Sequence, residues 1–264
     1  MNILTIIFYQ PLVNVLFLLA YFVPGHSLSW AIVVLTVLIR LALLPSSLKT
    51  LEHQRRIQLL QPKIDEIKKK HAEDKNALNK ATIELYNAEK VSPFASCLPL
   101  FVQLVILIAL NSVMRHGLDP AKLTETLALL YSFVPQLSSY HASFFGYDLA
   151  KPEPIVLPIL VGLISYIQVK QSMKLQPQSN KPDSELSNEE RITKSMTKNM
   201  QYLFPVIFAI SLRQQPAALA FYWGLSGLLT IAQQAWYFKY KGETLPKSVK
   251  TKSGVEVSVR QVIK

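Results

Sequence analysis

Residues 28–48 read LSWAIVVLTVLIRLALLPSSL. This run of 21 residues holds a single charge, Arg40. A helix needs roughly 20 mostly apolar residues to cross a hydrocarbon core, so the run is predicted to be a membrane span. Four more stretches of the same kind follow: 94–114 (FASCLPLFVQLVILIALNSVM), 154–170 (PIVLPILVGLISYIQVK), 200–213 (MQYLFPVIFAISLR) and 216–238 (PAALAFYWGLSGLLTIAQQAWYF). Half of the 264 residues are hydrophobic, 17% are charged, and the net charge is +11. Ordinary soluble domains carry about 25% charge, so a soluble enzyme and a disordered chain both fit poorly. The single cysteine, Cys97, excludes an internal disulfide framework and a cysteine-based zinc cluster. The first Lys or Arg is Arg40, so neither a transit peptide nor a cleaved leader is expected.

Positive charge orients the spans. The segment 49–93 holds ten Lys or Arg, 115–153 three, 171–199 five and the tail 239–264 seven. Lys and Arg accumulate on the cytoplasmic side, so five spans with the N-terminus outside and the C-terminus in the cytoplasm place every rich segment inside. Two apolar stretches remain. A span at 127–147 would carry the basic tail outside, and Pro135 with the polar run 136–141 interrupts it. It is read as part of an extracytoplasmic segment, 115–153, with Tyr131, Phe133, Tyr140 and Phe144 at headgroup depth. The stretch 3–23 is uncharged but broken by Gln10, Pro11 and Asn14, so residues 1–27 are read as a helix lying in the outer leaflet.

The charged segment 49–93 still carries a helical stripe, Ile57, Leu60, Ile64 and Ile67, and a weaker one at Leu78, Ile83, Leu85 and Tyr86. A turn at 71–74 between them predicts a cytoplasmic helical hairpin. It is either a connector or a docking surface. Residues 171–199 form a loop rich in Gln, Ser, Asn and Pro. The tail's seven positives serve orientation, or bind anionic lipid or ribosomal RNA through phosphate attraction.

None of the five spans contains Asp, Glu or His. Proton relays and intramembrane hydrolysis need such groups, so catalytic residues, metals and cofactors are not expected. Arg40 is the exception to the apolar rule. It lies eight residues before the inner end of its span, roughly 12 Å deep at 1.5 Å per residue. Placing Arg mid-helix costs about 2.5–3.5 kcal/mol on the insertion scale. Snorkelling is one relief. The other is a hydrated cavity open to the cytoplasm, lined by Thr36, Gln103, Asn111, Ser165, Gln168, Ser226, Gln233 and Gln234. The third and fourth spans are also short, which thins the bilayer around them. A wet positive cavity in a thinned bilayer lowers the barrier to moving polar chain across.

In this order and spacing, several segments resemble the YidC-type membrane insertases, relatives of the mitochondrial Oxa and chloroplast Albino proteins. They are YQPLVNVLFLLAYFVP, LTVLIRLALLP, LQPKIDEIKKKHAEDK, SPFASCLPLFVQLVILIAL, FFGYDLAKPEPIVLPILVGLISYIQVKQS and YLFPVIFAISLRQQPAALAFYWGLSGLLTIAQQ. The resemblance implies an all-α polytopic bundle of five transmembrane helices around a cytoplasm-facing hydrophilic groove, with a cytoplasmic hairpin and an N-terminal interfacial helix. It implies a bacterial plasma-membrane insertase and chaperone for nascent membrane proteins, acting alone or with the Sec translocon. It also implies a short form without the large extracytoplasmic domain. Arg40 corresponds to the family's groove arginine, Gln168 to a glutamine of the third span, and Trp223 to the tryptophan of the YW pair. The family's usual Pro-Ala-Gly-Leu reads Pro216-Ala217-Ala218-Leu219 here. A structural subunit of a larger membrane complex is the alternative reading.

Overall fold

The apolar run around Arg40 is part of one long helix. The computed structural model describes residues 9–71, 74–89, 91–92, 108, 111, 123–136, 141, 143–144, 146–173, 188–240, 248–250 and 256–258. The expected second span, 94–114, lies outside the described residues except for Ile108 and Asn111, and Gln103 falls outside with it. The described chain is mainly helical: α1 Gln10–Phe22, α2 Leu28–Leu59, α3 Gln61–Lys70, α4 Lys75–Ala88, α5 Leu123–Leu127, α6 Val156–Met173, α7 Asn188–Leu212 and α8 Ala217–Tyr240. Two antiparallel ladders are added, β1 Ser143–Phe144 with β2 Tyr147–Asp148, and β3 Ser248–Lys250 with β4 Glu256–Ser258 in the tail. Helices α2 and α6 are long and apolar enough to cross a membrane. At 1.5 Å per residue α2 is about 48 Å long, more than the hydrocarbon core needs. It continues from the apolar run into charged residues to Leu59, and Pro45 inside it leaves the carbonyl of Leu41 without its helical donor.

The chain divides into two compact units. The first comprises Met1–Leu44, Leu100–Val169 and Thr197–Thr230. Its core joins Val13, Leu16, Phe17 and Ala20 of α1 to Leu28, Ala31, Ile32 and Leu35 of α2, and to Ala217, Ala218 and Tyr222 of α8. The sequence reading treats Gln10, Pro11 and Asn14 as interruptions, yet all three belong to α1. Pro11 sits in the first turn, where its missing N–H has no helical partner to lose. Asn14 is 2% exposed. Its Oδ1 accepts the Tyr131 N–H at 2.6 Å, and its Nδ2 donates to Leu129 O at 3.0 Å. Gln10 Nε2 also donates to Leu129 O, at 3.1 Å. The polar residues of this stretch therefore tie α1 to residues 129–131.

One short segment closes three helix starts. A helix leaves its first N–H groups without internal partners. At α2, Leu28 N–H donates to His141 O at 2.9 Å, and Ser29 Oγ donates to Ser143 O at 3.0 Å. At α8, Ala217 N–H donates to Lys151 O at 2.9 Å and Ala218 N–H to Leu149 O at 3.0 Å. At α6, the Glu153 carboxylate accepts from the N–H groups of Ile155, Val156 and Leu157. Gly146, with φ of 82°, turns the chain between β1 and β2 within this segment.

Helices α6, α7 and α8 pack through small residues. A Cβ on Gly162 would meet Ala209 Cβ at 3.2 Å, and one on Gly224 would meet Val161 Cγ2 at 3.4 Å. Val161, Leu212, Leu219 and Ala220 are buried there. The outer faces are apolar and uncovered. Val156, Ile159, Leu160, Leu163 and Ile167 of α6, and Met200, Leu203, Val206, Ile207 and Ile210 of α7, are each 45–60% exposed. Contiguous apolar surface of this kind is foreign to water-soluble monomers and fits lipid contact.

The second unit comprises Pro45–Pro99, Lys170–Met196 and Ile231–Lys264. Ile57, Leu60 and Ile64 of the sequence stripe are buried with Val91, against Leu85 and Tyr86. Ile83 of the weaker stripe faces outward. Lys63 pairs with Glu89 at 2.5 Å, and the Asp74 carboxylate caps α4 by accepting from the N–H groups of Asn76 and Ala77. Burial pushes the Tyr86 hydroxyl up, opposed by the charge of Lys68. Leu51 and Tyr237 form a further small core.

Candidate functional site

Arg40 lies in the middle of α2 among Val37, Leu38, Ile39 and Leu41. An apolar helix can hold a guanidinium only where something polar meets it. Ser226 of α8 does so. Arg40 Nε donates to Ser226 Oγ at 2.8 Å, and Arg40 Nη2 reaches the same oxygen. Arg40 is half-buried, while Ser226 is 2% exposed. The Ser226 carbonyl accepts the hydroxyl of Thr230 one turn on, at 2.8 Å.

Gly227 follows Ser226 and brings α6 into the same neighbourhood. A Cβ there would meet Gln168 Oε1 at 3.3 Å. The Gln168 amide therefore lies against the bare backbone next to the serine that holds Arg40. Ser165, three residues before Gln168, is buried, and its Oγ has no hydrogen-bond partner among the described residues. Trp223, three residues before Ser226, packs on Phe208 with ring centroids 4.4 Å apart. It lies between the two apolar clusters of this unit.

The other sequence candidates fall elsewhere. Thr36 is 1% exposed, and its hydroxyl donates to Ile32 O at 2.6 Å. That bond satisfies it within its own helix. Gln233 belongs to the second unit, where its Nε2 donates to Ser47 Oγ at 2.6 Å. Gln234 donates to Ser172 Oγ at 3.0 Å in the same unit. The structure thus brings Arg40 to Ser226 and sets Gln168 at Gly227. Sequence reading names Ser226 only as one of eight polar positions. Its two polar signals, an arginine and a serine in separate apolar runs, do not say that they meet. Among the described residues no group of three or more His, Cys, Asp or Glu is placed to hold a metal.

The sequence profile of the family described as 60Kd inner membrane protein matches residues 19–244. This chain belongs to that family. The 60Kd inner membrane protein match contains Arg40, Gln168, Trp223, Ser226 and Gln233, whereas Gln10 and Asn14 of α1 precede it. Three relatives in the family are each named Membrane protein insertase YidC. That of Fusobacterium nucleatum is 35% identical over 210 residues, 79% of this chain and 85% of the relative. That of Geotalea daltonii is 30% identical over 217 residues, 81% of this chain and 34% of the relative. That of Cellvibrio japonicus is 32% identical over 224 residues, 83% of this chain and 34% of the relative. The chain therefore spans most of the first relative and about a third of the other two.

Proposed function

We infer that this chain is a membrane protein insertase and chaperone. It inserts and helps fold integral membrane proteins, and it is not an enzyme. One observation carries the reading: within the family match, a guanidinium sits in an apolar helix and is held by a neutral hydroxyl, Ser226, which leaves its charge in place. No Asp or Glu occurs in the five expected spans to cancel that charge.

In this mechanism five spans, 28–48, 94–114, 154–170, 200–213 and 216–238, surround a hydrated groove open to the cytoplasm. The N-terminus is outside and the C-terminus inside. A hydrophilic client segment enters the groove and is drawn to Arg40 when it is acidic. Two unit charges 4 Å apart attract by about 4 kcal/mol at an effective dielectric of 20. The client's apolar helix then passes along 94–114 and 216–238 into lipid. Hydrophobic partitioning drives that step, so neither nucleotide nor cofactor is needed. Gln168 and Trp223 line the client path, with Gln103 as a further groove position. The Sec translocon is a partner, anionic lipid surrounds the bundle, and the basic tail tethers ribosomes through phosphate contacts.

The test compares clients with acidic and neutral N-terminal tails in depleted cells that express variants of this chain. Arg40→Lys, which keeps the charge, retains much more insertion of acidic-tailed clients than Arg40→Glu does. Arg40→Glu loses the acidic-tailed clients and affects the neutral-tailed ones less. Equal loss of both classes would show that Arg40 is only structural.

A further inference from the structure

The contact between Arg40 and Ser226 has a direction as well as a charge. A guanidinium presents its five N–H groups as a planar fork, and Nε with one Nη forms an edge that matches two acceptors or one shared acceptor. In this structure Nε and Nη2 both point at Ser226 Oγ, so the serine holds that edge. The serine itself has little freedom. It is buried on α8, and the backbone that follows it, at Gly227, lies against Ile164 and Gln168 of α6. The chemistry of the acceptor matters too. A carboxylate at 226 would neutralise the arginine, while an alanine would take this acceptor away from the Nε/Nη2 edge. A hydroxyl orients the guanidinium and leaves it positive.

We propose that Ser226 is the positioning residue for client selection: by gripping the Nε/Nη2 edge it fixes the plane in which Arg40 meets a client carboxylate. The site then discriminates by geometry as well as by charge. Glutamate or aspartate in a client tail meets a pre-oriented fork, whereas a diffuse negative potential gains nothing from the orientation. This rests on the reading of the chain as an insertase whose arginine attracts acidic client segments.

The experiment uses the full chain in lipid nanodiscs, labelled with nitrogen-15, with insertion followed in parallel in depleted cells. The chain has seven arginines, and the Arg40 Nε–H signal is the one absent in Arg40→Lys. Ser226→Ala is expected to convert that signal from slow to fast exchange with water. It lowers insertion of acidic-tailed clients about five-fold, the equivalent of one hydrogen bond, and of neutral-tailed clients less. Ser226→Thr, which keeps the hydroxyl, restores both readouts. In the Arg40→Lys background, which lacks the fork, Ser226→Ala adds less than about a two-fold change, because coupled residues are non-additive. If Ser226→Ala does not fold, Ser226→Cys, of similar size and a poor acceptor, takes its place. Slow Arg40 exchange in Ser226→Ala overturns the proposal. So does equal loss of both client classes, or an undiminished effect in the lysine background. Normal insertion of acidic-tailed clients by Arg40→Glu would instead remove the underlying insertase reading of Arg40, whatever the exchange data say of Ser226.

Discussion

A Cβ placed on Gly227 of α8 would stand 2.7 Å from Cγ2 of Ile164 on α6, closer than real Cβ contacts come. The two helices therefore meet backbone to side chain at this point. Apolar side chains gain little by leaving lipid for another helix, so close approach and its dispersion contacts have to supply the association.

Gly227→Ala is expected to destabilise the bundle. Alanine favours a helix over glycine by about 1 kcal/mol, so the clash must exceed that gain to show. Overpacking costs typically about 1–3 kcal/mol, and Ile164 is β-branched and stiff, so it does. Unfolding of the detergent-solubilised protein measures the loss. Ile164→Ala in the same chain should recover part of it, and an unaltered transition in Gly227→Ala would refute the contact.

The burial of Thr36 distinguishes it from Gln168. With Cys97 replaced by serine, a cysteine at 168 or at 40 should react with a water-soluble thiol reagent added from the cytoplasmic side. A cysteine at 36 should react as slowly as one at Ile32, which is equally buried. Comparable rates at 36 and 168 would mean that water reaches a face of α2 that is packed here. Protection at 40 and 168 alike would argue against a wet groove.

Asn14 holds residues 129–131 by its buried amide. Asn14→Leu should release them, because it strands the Tyr131 N–H and removes one donor from Leu129 O. Leaving a buried group unsatisfied costs about 1–3 kcal/mol. Amide exchange at 129–134 should quicken while the hairpin of α3 and α4, in the other unit, stays protected. Exchange that rises equally in both places would point to general unfolding.

Glu153 makes the start of α6 sensitive to acid. Slight burial raises its carboxyl, but the three N–H bonds from Leu157, Val156 and Ile155 outweigh this and hold it below the ordinary carboxylate value. A depressed acid binds fewer protons in the folded state than in the unfolded one. Its contribution is therefore complete above the ordinary value and fades as pH falls through the lower folded value. Protection of the Ile155, Val156 and Leu157 amides, measured relative to the intrinsic exchange rate at each pH, should fall in acid. Glu153→Gln should exchange faster at neutral pH and lose the dependence. An acid response that persists in the glutamine variant would assign it to another group.

Part of the candidate site was legible in the sequence. Arg40 stands out because a charge within an apolar run is costly wherever the helix points. The stripe Ile57, Leu60 and Ile64 is readable because a helix buried on one face repeats every three or four residues, and all three are buried. Thr36 and Gln233 were harder. Their polarity marks them, but a hydroxyl that bonds its own helix and an amide that bonds Ser47 look the same in sequence as groups that line water.

The amino-acid sequence by itself determined the helical class, the apolar runs, the placement of positive charge and the need for a polar partner at Arg40. Each follows from local composition and period, which a short window contains. Only the tertiary structure decided the partners: Ser226 for Arg40, 186 residues away, Leu129 for Asn14, 115 away, and one segment from His141 to Glu153 for three helix starts. The physical reason is the solvent. In water, an apolar stripe identifies the inward face of a helix. In a chain of this family lipid accepts an apolar face as readily as a neighbouring helix does, so hydropathy marks a span without saying which side packs. That choice falls to shape, to bare backbone such as Gly227, and to the few polar groups that must find one another.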